Sequence, residues 1–274
     1  MNCLFNYRLT FVYNINMPSL LEVNINKLIK SIKKLSKSND SIFIVGEFHY
    51  ISDVNDNCIY FSIKNNILKI NFSHIFYDGY SIFFILHKID QIYKGEIDNY
   101  IFNIYDSSYS KFKVVINNIK LLPKINLKIV YDYVMKNGKN KKRIKILKTN
   151  LNELSTREVI HYLLDKHVLK EYCLIINARK LYNEYESVLG NLVYFSGTLS
   201  KDDEIRKSLQ KKEEASLEKK LNNTFPNGLL VNSYLNFMLP SFVKYFKPPV
   251  PCGNYIIIHP KNNDEKYILV DYYY

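Results

Sequence analysis

The chain has 274 residues, 47% of them hydrophobic and 23% charged, and a formal net charge of +12. That is enough apolar material for one large globular unit or two closely joined lobes, and it excludes a low-complexity or disordered chain. The four cysteines, Cys3, Cys58, Cys173 and Cys252, have neither zinc-site nor redox spacing, so they read as reduced and mostly buried.

The start of the chain lacks the basic flank and small-residue cleavage site of a secretory signal, and no apolar run is long enough to span a bilayer. A cytoplasmic protein without a transmembrane segment is the expectation. The excess of Lys, Asn, Ile and Tyr, all encoded by AT-rich codons, accounts for the basic balance, and no nucleic-acid motif accompanies it. No nucleic-acid partner is expected.

In chain order, Cys3 to Tyr13 reads as a first strand, followed by an amphipathic helix with Leu21, Ile25, Leu28, Ile29, Ile32 and Leu35 on one stripe. Ser41 to His49 is extended. Cys58–Ile63 and Ile67–Phe72 flank Lys64-Asn65-Asn66, a hairpin signal. After Gly79, Ile82, Ile85, Leu86, Ile89 and Tyr93 share a helical face. Residues 95–125 are irregular.

A strand is predicted at Leu127–Val134, a basic turn at Lys136–Arg143, and a further strand at Ile144–Thr149. A helix capped by Ser155 or Thr156 runs to Lys166, and Tyr172–Asn177 is an interior strand. Lys201–Leu221 reads as a solvent-facing helix. Strands are predicted at Gly228–Phe237, Asn254–His259 and Lys266–Tyr272. The sum is an α/β chain.

The segment most informative for chemistry is His74-Ile75-Phe76-Tyr77-Asp78-Gly79, at a strand-to-helix junction. A histidine pinned on such a turn is suited to general-base work. An aspartate four residues on holds the turn if it finds a cation, and the glycine lets backbone pass close by. Downstream lie Ile175-Ile176-Asn177-Ala178-Arg179, then Leu189-Gly190-Asn191, and later Val231-Asn232-Ser233-Tyr234-Leu235. None of His49, His87, His161, His167 and His259 is spaced with acids or cysteines like a metal site, and no metal is expected.

In their order and spacing these motifs resemble the chloramphenicol-acetyltransferase-like superfamily of CoA-dependent acyltransferases. Its HxxxDG-bearing members include the BAHD acyltransferases, alcohol acetyltransferases and condensation domains. Two hundred residues follow His74, which resembles the fused, two-lobed branch. The resemblance implies a two-lobed fold of mixed sheets flanked by helices, with a tunnel at the lobe interface. The lobes would be a shortened 1–100 carrying the motif and 126–274, with 101–125 as linker.

It further implies acyl-CoA as co-substrate and His74 as catalytic base. Asp78 and Gly79 would shape the site, with Arg179 as the partner of Asp78. Ser233 or Asn232 would donate to the oxyanion, and Gly190 and Asn191 would shape the tunnel. Lys139, Lys141, Lys142 and Arg143 are candidates for the CoA phosphates. The partners would be a small-molecule acyl donor and acceptor, and the protein a monomer.

The chain departs from the family in several places. Ser73 stands where many members have a first histidine. The chain has no Trp, so the Asp-Phe-Gly-Trp-Gly motif of BAHD members is absent. It is also shorter than a usual two-lobed member. The competing expectation is a catalytically inactive relative that binds a ligand or protein; a basic nucleic-acid-binding protein is the third.

Overall fold

The computed structural model describes residues 8–14, 24–46, 58–65, 67–73, 76–105, 114–115, 128–137, 139–147, 156–165, 173–177, 179, 186–190, 192–196, 230–243, 245–247, 255–260 and 267–273. The predicted helix at Lys201–Leu221 lies outside them.

The first half contributes β1 (Arg8–Asn14), α1 (Ile25–Lys37), β2 (Phe43–Val45), β3 (Ile59–Lys64), β4 (Ile67–Ser73) and α2 (Gly79–Lys94). Next come the short pieces β5 (Asn103–Ile104) and β6 (Val114–Val115), then β7 (Lys128–Asn137), β8 (Lys139–Leu147) and α3 (Thr156–Asp165). The remainder supplies β9 (Cys173–Asn177), β10 (Val188–Leu189), β11 (Val193–Ser196), β12 (Leu230–Ser233), β13 (Tyr245–Lys247), β14 (Tyr255–Ile258) and β15 (Tyr267–Tyr273).

Two mixed sheets dominate this α/β fold. The five-stranded sheet has the order β13-β1-β4-β3-β2, and the eight-stranded sheet the order β6-β11-β9-β12-β14-β15-β8-β7. The first is built from the first half except for β13, which crosses from residues 245–247 to pair antiparallel with β1. β3 and β4 form the hairpin read from the sequence, and Asn65 in its turn adopts φ 51°, a conformation asparagine tolerates.

Most of the predicted basic turn at Lys136–Arg143 is paired strand: residues 136–137 belong to β7 and 139–143 to β8. β7 and β8 are antiparallel with Asn137 opposite Lys139 and Tyr133 opposite Arg143. The Asn137-Gly138 dipeptide favours a tight hairpin, and cross-strand pairing overrides the polarity of the lysines.

The helices follow their apolar spacing. In α1, Leu28, Ile32 and Leu35 are buried, and the Asn24 side chain caps the first turn by accepting from the Lys27 amide at 2.9 Å. In α2, Ile82, Ile85, Leu86 and Ile89 are fully buried. Gly95 ends it at φ 84°, a left-handed conformation that suits glycine.

Alternation along the strands gives the large sheet two distinct faces. Val231, Ile256, Ile258, Ile268, Val270, Ile144 and Ile146 pack with Val159, Ile160 and Leu163 of α3. Tyr255, Ile257 and Tyr273 turn the other way and join the core formed by α1, α2 and the five-stranded sheet. Among the described residues no helix is long and apolar enough to cross a membrane.

Candidate functional site

The strand β4 delivers the chain to Ser73, whose carbonyl accepts from the amides of Phe76 at 3.2 Å and Tyr77 at 3.1 Å. His74 itself lies outside the described residues. So do Asn191 and the side chains of Lys141 and Lys142.

Asp78, 1% exposed, sits at the start of α2. Its Oδ1 is the helix cap and accepts from the Ser81 amide at 2.9 Å. Its Oδ2 does a different job, accepting from Arg179 at 2.7 Å and from the Leu192 amide at 3.0 Å. One carboxylate thus caps a helix of the first half and neutralises a cation of the second.

Arg179, just past the end of β9, is 2% exposed. Its five N–H donors each meet an acceptor. Nε donates to the Val188 carbonyl at 2.9 Å, and Nη1 to Asp78 Oδ2 and to Asn177 Oδ1 at 3.1 Å. Nη2 donates to Ser81 Oγ at 3.1 Å and to the Gly190 carbonyl at 2.8 Å. A buried guanidinium is tolerable only when its charge and its protons are matched in this way.

The Ser81 hydroxyl lies within hydrogen-bond reach of Asp78 Oδ1 and the Gly190 carbonyl, each at 2.9 Å, and accepts from the Gly190 amide at 3.0 Å. Asp78 N donates to the Gly190 carbonyl at 3.2 Å. Gly190 is needed because a Cβ there would stand 2.9 Å from the Tyr105 Cβ.

Tyr80 closes the arrangement from outside. Its ring centroid is 4.7 Å from the Arg179 guanidinium carbon, a cation–π contact, and its hydroxyl donates to the Glu186 carbonyl at 3.1 Å. Burial raises the Tyr80 phenol above its ordinary pKa, although the Arg179 charge pulls the other way.

The third motif reaches the same place. A Cβ on Gly79 would meet Tyr234 Cε1 at 3.0 Å and its hydroxyl at 3.4 Å, so the glycine admits the Tyr234 ring against the start of α2. Asn232 donates to the Tyr234 hydroxyl at 2.9 Å. Burial raises the phenols of Tyr234 and Tyr255 well above their usual range.

Ser233 is turned away. Its hydroxyl shares a 2.7 Å hydrogen bond with Thr156 on α3, because neighbouring strand residues point to opposite faces. Of the two oxyanion candidates, only Asn232 shares the face of the Asp78–Arg179 cluster.

Arg143 is also committed elsewhere. It grips Asp271 through Nε and through Nη2, the latter at 2.5 Å, and His259 Nε2 lies 2.8 Å from Asp271 Oδ2. The register places Arg143 opposite Asp271 in β8 and β15. Burial alone would raise the Asp271 carboxyl pKa, but the hydrogen bonds from Arg143 and His259 outweigh it and hold that pKa well below the ordinary range. Among the described residues no group of three or more His, Cys, Asp or Glu is placed to hold a metal ion.

Motif reading did not single out Ser81 or Tyr80, and it carried Tyr234 in the Val231–Leu235 motif without assigning it a role. Ser81 could have been found as the residue three after a capping aspartate. Tyr80 carries no signal at sequence level.

No family model matches the chain. No curated protein matches it. Among solved structures the chain is similar to vinorine synthase, with 14% identity, TM-score 0.47, and coverage of 97% of this chain and 86% of that one. It is also similar to TRI101 of F. sporotrichioides complexed with coenzyme A and T-2, with 10% identity, TM-score 0.46, and coverage of 96% and 90%. The F. graminearum TRI101 complex with coenzyme A and T-2 mycotoxin gives 10% identity, TM-score 0.47 and the same coverage.

Proposed function

We propose that the chain is a CoA-dependent acyltransferase that moves an acyl group from acyl-CoA to a hydroxyl or amine, with His74 as general base. The observation that carries this reading is the buried Asp78–Arg179 pair. It joins the residues that end the HxxxDG motif to the Asn-x-Arg motif about a hundred residues downstream, with both partners 1% exposed and 2.7 Å apart. A capping aspartate needs no buried arginine from the other half of the chain. A catalytic turn that must be held rigid does.

In this reading His74 takes the proton of the acceptor hydroxyl or amine. The acceptor atom attacks the thioester carbonyl, and the tetrahedral oxyanion collapses by breaking the carbon–sulfur bond. The CoA thiolate leaves and recovers the proton from His74. Asp78 and Arg179 touch neither reactant; they position the turn. Asn232, with Gly79, Gly190 and Asn191, would line the space beside the base, and Asn232 is the side-chain donor for the oxyanion. Lys141 and Lys142 are the candidates for the CoA phosphates.

The test is release of free CoA from acyl-CoA with a panel of alcohols and amines. His74→Ala should lower turnover at least about a hundredfold with an unchanged unfolding midpoint. Turnover by the His74→Ala variant equal to wild type removes the base, and the absence of any transfer or thioester hydrolysis in wild type leaves a binding protein.

A further inference from the structure

Helix α1 carries five lysines, Lys27, Lys30, Lys33, Lys34 and Lys37, with no acidic residue in its sequence. Two are engaged locally: Lys34 pairs with Asp98 at 2.9 Å, and Lys27 lies over the Tyr93 ring at 5.0 Å. Lys30, Lys33 and Lys37, spaced i, i+3 and i+7, form an exposed ridge. The ridge is bordered on one side by Ile29 and Ile32. These residues, with Val45, Phe61 and Ile63, line an apolar groove of about 190 Å³ between α1 and the edge of the five-stranded sheet.

We propose that this face docks on an anionic lipid surface. The lysine ridge sits at headgroup level, and the groove takes up apolar contact with the acyl region. The charge has one sign, which suits an anionic partner. The apolar border decides which one. A polynucleotide asks for stacking rings or polar donors beside the cations, and the groove offers mainly aliphatic side chains. The groove is also smaller than the roughly 300 Å³ at which small-molecule pockets begin, so it fits part of a chain rather than a whole soluble ligand. The inference stands independently of the acyl-transfer reading.

The experiment is cosedimentation of the full chain with vesicles of phosphatidylcholine alone and of phosphatidylcholine mixed with phosphatidylserine. Binding only to the mixed vesicles, weakened by salt, is expected. Lys30→Gln/Lys33→Gln/Lys37→Gln should weaken it about a hundredfold, about fivefold per lysine. All three side chains are exposed, so the melting temperature should not move. Ile29→Ser should weaken binding several-fold without changing its salt dependence. Val45→Glu, which sets a carboxylate at the groove from the edge strand, should do the same if Ile29→Ser unfolds the chain. No binding by wild type, equal binding by the lysine variant, or equal binding by folded groove variants overturns the proposal. So does tighter retention on single-stranded RNA than on the mixed vesicles.

Discussion

Arg179→Lys keeps the charge and removes the fork. The guanidinium serves Asp78, Asn177, Ser81, and the carbonyls of Val188 and Gly190 through five separate donors. An ammonium has three donors on one nitrogen, so at least two of these five buried hydrogen bonds are lost. Each lost hydrogen bond to a charged donor is worth about 1.5–3 kcal/mol, and the contact with the Tyr80 ring is weakened as well. The expected destabilisation is about 3–5 kcal/mol, a large part of the roughly 5–15 kcal/mol that holds a domain folded. Urea unfolding followed by circular dichroism reads it as a lower midpoint at unchanged slope. Turnover should fall together with stability, because the turn after His74 is anchored through Asp78. A shift below about 1 kcal/mol would mean that the five hydrogen bonds are not acting as one buried network, and the positioning role of Arg179 would go with it.

Gly190→Ala forces a methyl to within 2.9 Å of the Tyr105 Cβ, and Tyr105 is itself fixed by its amide donating to the Leu189 carbonyl at 2.8 Å. Overpacking of about 1–3 kcal/mol is expected, and a thermal melt equal to wild type would show that the segment yields. The Asp271 carboxyl is held below its ordinary pKa in the folded state, so the unfolded chain takes up that proton first. Its stabilisation is full above about pH 5 and is lost as the pH falls below about 4. Asp271→Asn should weaken the fold at neutral pH by about 3 kcal/mol and flatten the acid limb of the stability curve; an unchanged acid limb would assign acid sensitivity to other carboxylates.

Local periodicity made much of the fold legible. The stripe through Leu28, Ile32 and Leu35, the face of Ile82, Ile85 and Ile89, and the polar break at Lys64–Asn66 each depend on neighbours within a turn or two, and the structure contains those helices and that hairpin. Where the sequence reads lysine-rich polarity as a turn, at Lys136–Arg143, pairing between β7 and β8 decides otherwise. A cross-strand partner supplies hydrogen bonds that composition does not reveal.

What the amino-acid sequence determined by itself was the set of chemical groups and their order: a histidine, an aspartate and a glycine at a strand-helix junction, and an arginine after an apolar strand. Only the tertiary structure decided which of them meet. It brings Arg179 onto Asp78 across a hundred residues, sets Asn232 against Tyr234 and Ser233 against Thr156, and gives Arg143 to Asp271. It also carries β13 into the sheet of the first half. The reason is physical: spacing along a chain encodes which face a side chain shares with its near neighbours, whereas an ion pair or a strand register depends on the packing of distant segments against one another.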